Sequence, residues 1–302
     1  MAKIEKWIKD NFSKVKFYDQ TLWKNYLADI GVISSIVTLI SFFLTAQKLA
    51  IGIGIAVVIF VGFLIGVFIY KWWEANHLKT VELRINNTKI TIGEGNIFEL
   101  LDKNPDERKG EISVIAVNDC YDTIVDDRII AAKSLHGQYI NRLINDGKLE
   151  QLDNVIETDE ILNKFSKRVE IPERLKGRKV QYPIGSVVEF ESYVLAAFTK
   201  FDENNKAYLT AEEYTRFWMC FWENIDEIFA GRTINIPLIG AGIARFRNGK
   251  PTKQELLEVM LWSLKISGFH NTYGDKQINF VIYKADVDDI DFYHIQHNQS
   301  FR

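Results

Sequence analysis

The chain has 302 residues, with 37 Lys and Arg against 40 Asp and Glu, and a net charge of -3 at pH 7. That balance excludes the broad basic surface a nucleic-acid binder requires. Two cysteines far apart in sequence, Cys120 and Cys220, and five scattered histidines provide neither a disulfide framework nor metal-ligand spacing, so no metal and no cofactor is expected.

Residues 1–25 carry Lys3, Lys6, Lys9, Lys14, Lys16 and Lys24 against Glu5, Asp10 and Asp19. Ile4, Trp7, Ile8 and Val15 fall near helical spacing, with Phe12 close to the same side. The pattern fits a basic amphipathic helix on a membrane surface, or else a loose polar leader. From Ile30 to Ala46, and again from Leu49 to Tyr70, no charged residue occurs. Each run approaches the ~20 residues needed to cross the hydrocarbon core. A transmembrane helical hairpin over residues 26–73 is therefore expected, with Gln47 and Lys48 as its connector. Lysines flank the outer ends, so both ends are placed in the cytoplasm, and the protein is read as a multi-pass protein of the cell inner membrane. Gly54, Gly62 and Gly66 recur at spacings that allow close helix packing, within one hairpin or between copies.

Past residue 78 the pattern becomes that of a folded domain reaching residue 302. Val81, Leu83 and Ile85 alternate, Asn86-Asn87 turns, and Ile90 and Ile92 alternate again, which predicts a β-hairpin. Ile112–Val117 reads as a strand covered on both faces, ending in Asn118-Asp119-Cys120-Tyr121-Asp122. Asp126 and Asp127 predict a helix start, with Ile129, Ala132, Leu135, Tyr139 and Leu143 on its apolar side. Residues 145–180 are charged and poorly periodic and read as a helical insertion on the surface. Val187–Phe190 and Tyr193–Phe198 read as strands. Thr210-Ala211-Glu212-Glu213 is a capping box opening a helix with an aromatic stripe from Tyr214 to Phe229. The run from Thr233 then enters Ile239-Gly240-Ala241-Gly242-Ile243-Ala244, a loop stripped of bulk that suits a pyrophosphate. A second capping box at Pro251–Glu255 opens another amphipathic helix, and Ile278, Phe280 and Ile282 mark a last strand. Strands alternating with helices predict an α/β fold with a mixed sheet and ligands beyond its strand ends.

Several stretches in the right order resemble a macro domain, the α/β/α three-layer module that binds ADP-ribose. Gly95-Asn96-Ile97 resembles the family's adenine-contacting Gly-Asp-Ile. Val117-Asn118 resembles the strand end that meets the distal ribose. Pro237–Ile243 resembles the diphosphate loop, and Phe280-Val281-Ile282-Tyr283 the final strand near adenine. Asn96 stands where the family has an acid, and the family's glycine triplet after the ribose Asn is replaced by Asp119–Val125. The resemblance implies ligand contacts from Asn96, Ile97, Asn118, Ile239, Gly240, Ala241, Gly242, Ile243, Ala244 and Tyr283, with Asp119 or Asp122 pairing an imidazole or amine on the ligand.

Two spanning helices before a divergent macro domain resemble the membrane effectors of type II Thoeris antiphage defence. That resemblance implies a non-catalytic effector gated by an NAD-derived nucleotide, such as a histidine adduct of ADP-ribose, made by a TIR-domain partner. Binding would drive homo-oligomerisation and membrane disruption. The alternatives are a membrane-tethered ADP-ribosyl hydrolase, with Asn118 and Asp119 or Asp122 activating water, and a passive membrane-anchored ADP-ribose-binding scaffold.

Overall fold

Long apolar runs near the N-terminus are helical. In the computed structural model, which describes residues 2–42, 50–98, 110–165, 169–201, 207–242, 246–247, 249–269 and 277–301, helix α1 spans Ala2–Phe12, α2 Gln20–Phe42 and α3 Ala50–His77. Val15 is not part of the first helix's apolar side. It lies in the turn after α1, 2% exposed, and packs with Leu22 and Ala75. Helices α2 and α3 meet antiparallel: the Trp23 ring packs tilted against Phe68 at 4.6 Å, and the Tyr26 hydroxyl donates to the Leu64 carbonyl at 2.9 Å.

Among the described residues one stretch, Val58–His77, is long and apolar enough to cross a membrane. The first expected span does not meet that test, because its uncharged run from Ile30 reaches only Phe42 within the described residues. The connector, residues 43–49, lies outside them. Gly62 and Gly66 would meet nothing within 4 Å if given a Cβ, so neither is packed within the hairpin. Gly54 falls within α3, in a part whose side-chain surroundings are not described.

The chain divides into two units: Met1–Lys79 with Asp291–Asn298, and Thr80–Ile290 with Gln299–Arg302. The last short helix, α9 over Phe292–His297, thus belongs with the N-terminal helices, where the Tyr293 hydroxyl accepts from Asn25 at 2.8 Å.

In the second unit the strands are β1 Thr80–Ile85, β2 Thr88–Glu94, β3 Glu111–Asn118, β4 Val169–Glu170, β5 Val180–Gln181, β6 Val187–Phe190, β7 Tyr193–Phe201, β8 Ala207–Tyr208, β9 Thr233–Pro237 and β10 Gln277–Ile282. The β1–β2 turn holds Asn86 and Asn87 at φ 46° and 62°, the left-handed pair a two-residue hairpin requires. The main sheet runs β1-β2-β10-β9-β3-β7-β6, with β8 pairing β7, and β4 and β5 form a separate ribbon. The pairs β2–β10, β10–β9, β9–β3 and β3–β7 are parallel, while β1–β2, β6–β7 and β7–β8 are antiparallel, giving a mixed sheet.

Helices cover both faces of this sheet. On one lie α4 Leu135–Asn145, α5 Leu149–Thr158 and α6 Glu160–Phe165, whose Tyr139, Ile140, Leu152, Ile156 and Leu162 are buried with Ile115 and Val117. On the other, α7 Ala211–Phe229 packs against α8 Lys253–Ile266, with Trp222 Nε1 donating to Ser263 Oγ at 3.0 Å. The α7 stripe of Tyr214, Phe217, Trp218, Phe221, Trp222, Ile225 and Phe229 is buried, each side chain contributing roughly 1.5–3 kcal/mol by removal from water. Both capping boxes form, at Thr210 with Glu213 and at Thr252 with Glu255.

Two expectations need correction. Helix α4 begins at Leu135 with Ser134 as N-cap, not at Asp126, because the Asp126 carboxylate takes the N–H groups of Arg128 and Ile129 and that of Asp127 takes Ala132, holding 126–132 as loop. Residues 145–180 are helical over Leu149–Thr158 and Glu160–Phe165, as expected, but they are not confined to the surface. Leu152, Ile156 and Leu162 are fully buried, and the strap that follows folds over the end of β3.

Candidate nucleotide site at the sheet edge

Because β2, β10, β9, β3 and β7 run parallel, their C-terminal ends share one edge. Along it lie, in order, Asn96 and Ile97 after β2, Tyr283 after β10, Gly240–Gly242 after β9 and Asn118–Asp122 after β3. The three strand spacings between the first and last span about 14 Å, the scale of an extended dinucleotide-like ligand. After β3 the chain moves toward β7, and after β9 it moves the opposite way to β10. The crevice between β3 and β9 is thus a topological switch point, where open α/β sheets bind ligands.

At that crevice Asn118 is 3% exposed. Its Oδ1 accepts the N–H groups of Cys120 at 3.1 Å and Asp122 at 3.2 Å, which fixes the amide orientation. Its Nδ2 is buried without a hydrogen-bond partner. An orphaned buried donor costs about 1–3 kcal/mol until an acceptor arrives.

The acids beside it are committed elsewhere. Asp122 receives both arms of the Arg174 guanidinium, at 3.0 and 2.7 Å, and the N–H of Arg178 at 2.7 Å, with both side chains of the ion pair almost fully buried. Gly177, at φ 97°, permits this approach, since a Cβ there would lie 2.5 Å from Asp122 Oδ1. Asp119 is fully buried and its carboxylate accepts from Gln181 Nε2, while its backbone carbonyl takes the N–H of Tyr182 at 2.8 Å. Neither acid is presented to a ligand, which corrects their assignment as contacts for an imidazole or amine. Arg174 and Gln181 were not legible as parts of this loop, because their partners lie some fifty to sixty positions upstream. Burial pushes the Cys120 thiol up to about 12, with the nearby Asp119 carboxylate adding to the effect, which favours the protonated thiol over the thiolate.

The glycine loop divides into a structural half and an open half. Gly240 sits at φ 91° with Tyr214 3.2 Å from a notional Cβ, whereas a Cβ on Gly242 would meet nothing within 4 Å. Ile239 is buried and its carbonyl accepts the Tyr214 hydroxyl at 2.9 Å. Lys250 Nζ binds the carbonyls of Ala241 and Gly242, each at 2.7 Å, which draws the loop's acceptors to one side. Among the described residues neither Gly240 nor Gly242 donates its N–H to another group. Ile243 and Ala244 lie outside the described residues. At the far end of the edge Asn96 Oδ1 caps the N–H of Phe98 at 3.1 Å, Gly95 donates to the Ile282 carbonyl at 2.9 Å, and Tyr283 is 59% exposed. Among the described residues no three His, Cys, Asp or Glu side chains are grouped to hold a metal.

The family model for the Thoeris protein ThsA macro domain matches residues 90–283. A Thoeris protein ThsA of Bacillus amyloliquefaciens (strain Y2) is 33% identical over 242 residues, covering 80% of this chain and 78% of that protein. The chain belongs to the Thoeris ThsA macro-domain family. Two variants of an Oceanobacillus iheyensis macrodomain align at TM-scores of 0.44 and 0.38, with 13% and 11% identity over 72% and 73% of this chain and 96% and 93% of those chains. That likeness is too distant to inform the site. Membership in the Thoeris family is consistent with a role in antiphage defence. The loop after β3 is held by the Asp122–Arg174 pair, and the strap 169–182 closes over it.

A pH effect follows from His136, buried in α4. Burial holds its pKa down to about 4, the backbone of Asp122 working the other way, and its Nε2 has no partner. The unfolded chain protonates this ring near pH 6.5 while the folded one does not, so its contribution is complete above 6.5 and is lost as pH falls toward 4. The loss reaches about 3 kcal/mol. Urea midpoints of the full chain in detergent should fall between pH 7 and pH 5, and His136→Gln should flatten that slope; an unchanged slope would remove His136 as its cause.

Proposed function

We propose that this chain is a membrane effector of antiphage defence, without catalysis of its own, gated by an NAD-derived nucleotide that binds at the C-terminal edge of the sheet. The observation carrying this reading is the Asn118 Nδ2 donor, held in one orientation and left unpartnered at the switch point. It suits an acceptor such as a ribose hydroxyl oxygen. The diphosphate rests on the N–H groups of the glycine loop, and adenine lies between Ile97 and Tyr283. An ADP-ribose derivative, such as its histidine adduct made by a TIR-domain protein, fits this series. The hydrolase alternative is disfavoured by the pairing of Asp119 and Asp122, which removes both candidate bases from the edge.

Gating has a continuous route in the chain. Lys250 holds the glycine loop, and Lys253, three residues on, pairs with Asp286 at 2.6 Å and Asp289 at 2.7 Å in the turn after β10. Residues 291–298 then join the helical unit before Gln299–Phe301 returns to the macro unit, where Ser300 accepts from Lys265 and Phe301 is 3% exposed. Ligand that tightens the loop thereby biases the segment feeding the membrane helices, provided it binds the active arrangement more tightly than the resting one. The helices span the inner membrane as a hairpin with the macro unit in the cytoplasm. On activation copies pack through the open Gly62 and Gly66 face of α3.

The test is calorimetry on the full chain in detergent, with ADP-ribose and then its histidine adduct, followed by analysis for turnover and by dye release from vesicles. Adduct binding without turnover, and release that depends on it, is the expected result. No binding of either ligand ends the nucleotide reading, turnover makes the protein an enzyme, and ligand-independent oligomers without leakage make it a scaffold.

A further inference from the structure

Helix α1 has an apolar stripe that is exposed among the described residues. Ile4, Trp7 and Ile8, at helical spacing on one side, are 65%, 57% and 47% exposed. Large apolar side chains left together in water are unfavourable, by the same transfer energy that buries them elsewhere. The helix is nevertheless fixed in place. Asn76 Oδ1 accepts the N–H groups of Lys14 at 2.8 Å and Val15 at 2.9 Å, and Trp72 Nε1 donates to the Val15 carbonyl at 2.6 Å. The Phe12 ring packs tilted against Trp72, with centroids 4.3 Å apart.

These bonds tie the exit of α1 to the last turns of α3, within one turn of the exposed apolar residues Ile69 and Tyr70. The tie point is therefore where a spanning helix meets its aromatic belt. Charge selects the occupant of the bare stripe. Lys3, Lys6, Lys9, Lys14 and Lys16 stand against only Glu5 and Asp10 in the first sixteen residues. A second copy would bring like charges together, whereas an anionic bilayer supplies both acyl chains for the stripe and phosphates for the ammonium groups.

We propose that α1 is a surface anchor lying in the headgroup layer of an anionic bilayer, with Ile4, Trp7 and Ile8 inserted toward the acyl chains and Lys3, Lys6 and Lys9 at the phosphates. This inference rests on the membrane reading of α3 and is independent of the nucleotide. It makes the depth of α3 in the bilayer dependent on lipid charge.

Nitroxide labels test it on the full chain in vesicles of phosphatidylcholine with phosphatidylglycerol, in a Cys220→Ala background that leaves the buried Cys120 in place. Labels go at Ile8→Cys, Lys6→Cys and Val61→Cys, and collision with oxygen is compared with collision with a water-soluble nickel chelate. Oxygen should dominate at positions 8 and 61, with nickel dominating at 6. Pure phosphatidylcholine, or replacement of Lys3, Lys6 and Lys9 by Gln, should return position 8 to water while position 61 stays immersed. Position 8 in water beside an immersed 61 overturns the anchor alone. Low access of both reagents at 8 reports a protein cover and also overturns it. Unchanged immersion of 8 without anionic lipid overturns the charge selection, and a water-exposed 61 ends the membrane reading itself.

Discussion

Gly242→Glu should abolish nucleotide binding while leaving the fold intact. The position is exposed and a Cβ there has nothing within 4 Å, so the protein itself accommodates the longer side chain. A ligand diphosphate would instead meet both the bulk and a second negative charge. Loss of about 100-fold in affinity, roughly 2.7 kcal/mol, is the expected minimum. Gly240→Ala is the opposite case. Its φ of 91° and the Tyr214 ring 3.2 Å away make it a fold position, and it should destabilise by about 1 kcal/mol or more through backbone strain. Calorimetry and thermal unfolding of the full chain separate the two: Gly242→Glu should move affinity only, and Gly240→Ala should move the melting temperature. Unchanged affinity in Gly242→Glu would remove this loop from the site.

What could be read from the sequence was local. The Asn86-Asn87 turn, both capping boxes and the aromatic stripe of α7 each depend on residues within a few positions, and the structure forms all of them. The strand ends were legible for a similar reason, since apolar runs followed by small or polar residues mark where an α/β sheet opens to ligand. Pairing over long distances was not. Even locally one signal misled: Asp126 and Asp127 carry a helix-start signature, yet their carboxylates bind loop N–H groups two to five residues on and delay the helix to Ser134. Asp119 and Asp122 read as ligand groups from the resemblance, which places them beside the strand end that meets the ribose. Arg174 and Gln181, carried in on a strap of low periodicity, pair with them instead. Asn118 keeps its Nδ2 because its oxygen is spent on two N–H groups of the following turn, a local geometry that residue types alone do not specify.

Arg174→Met should be among the most destabilising single changes in the macro unit. It leaves the Asp122 carboxylate fully buried with only the Arg178 N–H for company, and breaking a buried pair on one side costs on the order of 3–5 kcal/mol. Removing the orphaned charge as well, in Asp122→Asn with Arg174→Met, should recover a large part of that loss, because the expense lies in the unpaired ion and not in the missing bridge. Denaturation of the full chain in detergent measures both terms of the cycle. Binding follows a different order. The Asp122 N–H helps hold the Asn118 amide, so any variant that loosens residues 119–122 lets Oδ1 and Nδ2 exchange roles and weakens nucleotide even after stability is restored. Recovery of stability without recovery of affinity would mark the Asp122–Arg174 pair as the support that aims Asn118. Full recovery of both would reduce the pair to a structural bridge and leave the aim of Asn118 to the Cys120 N–H alone.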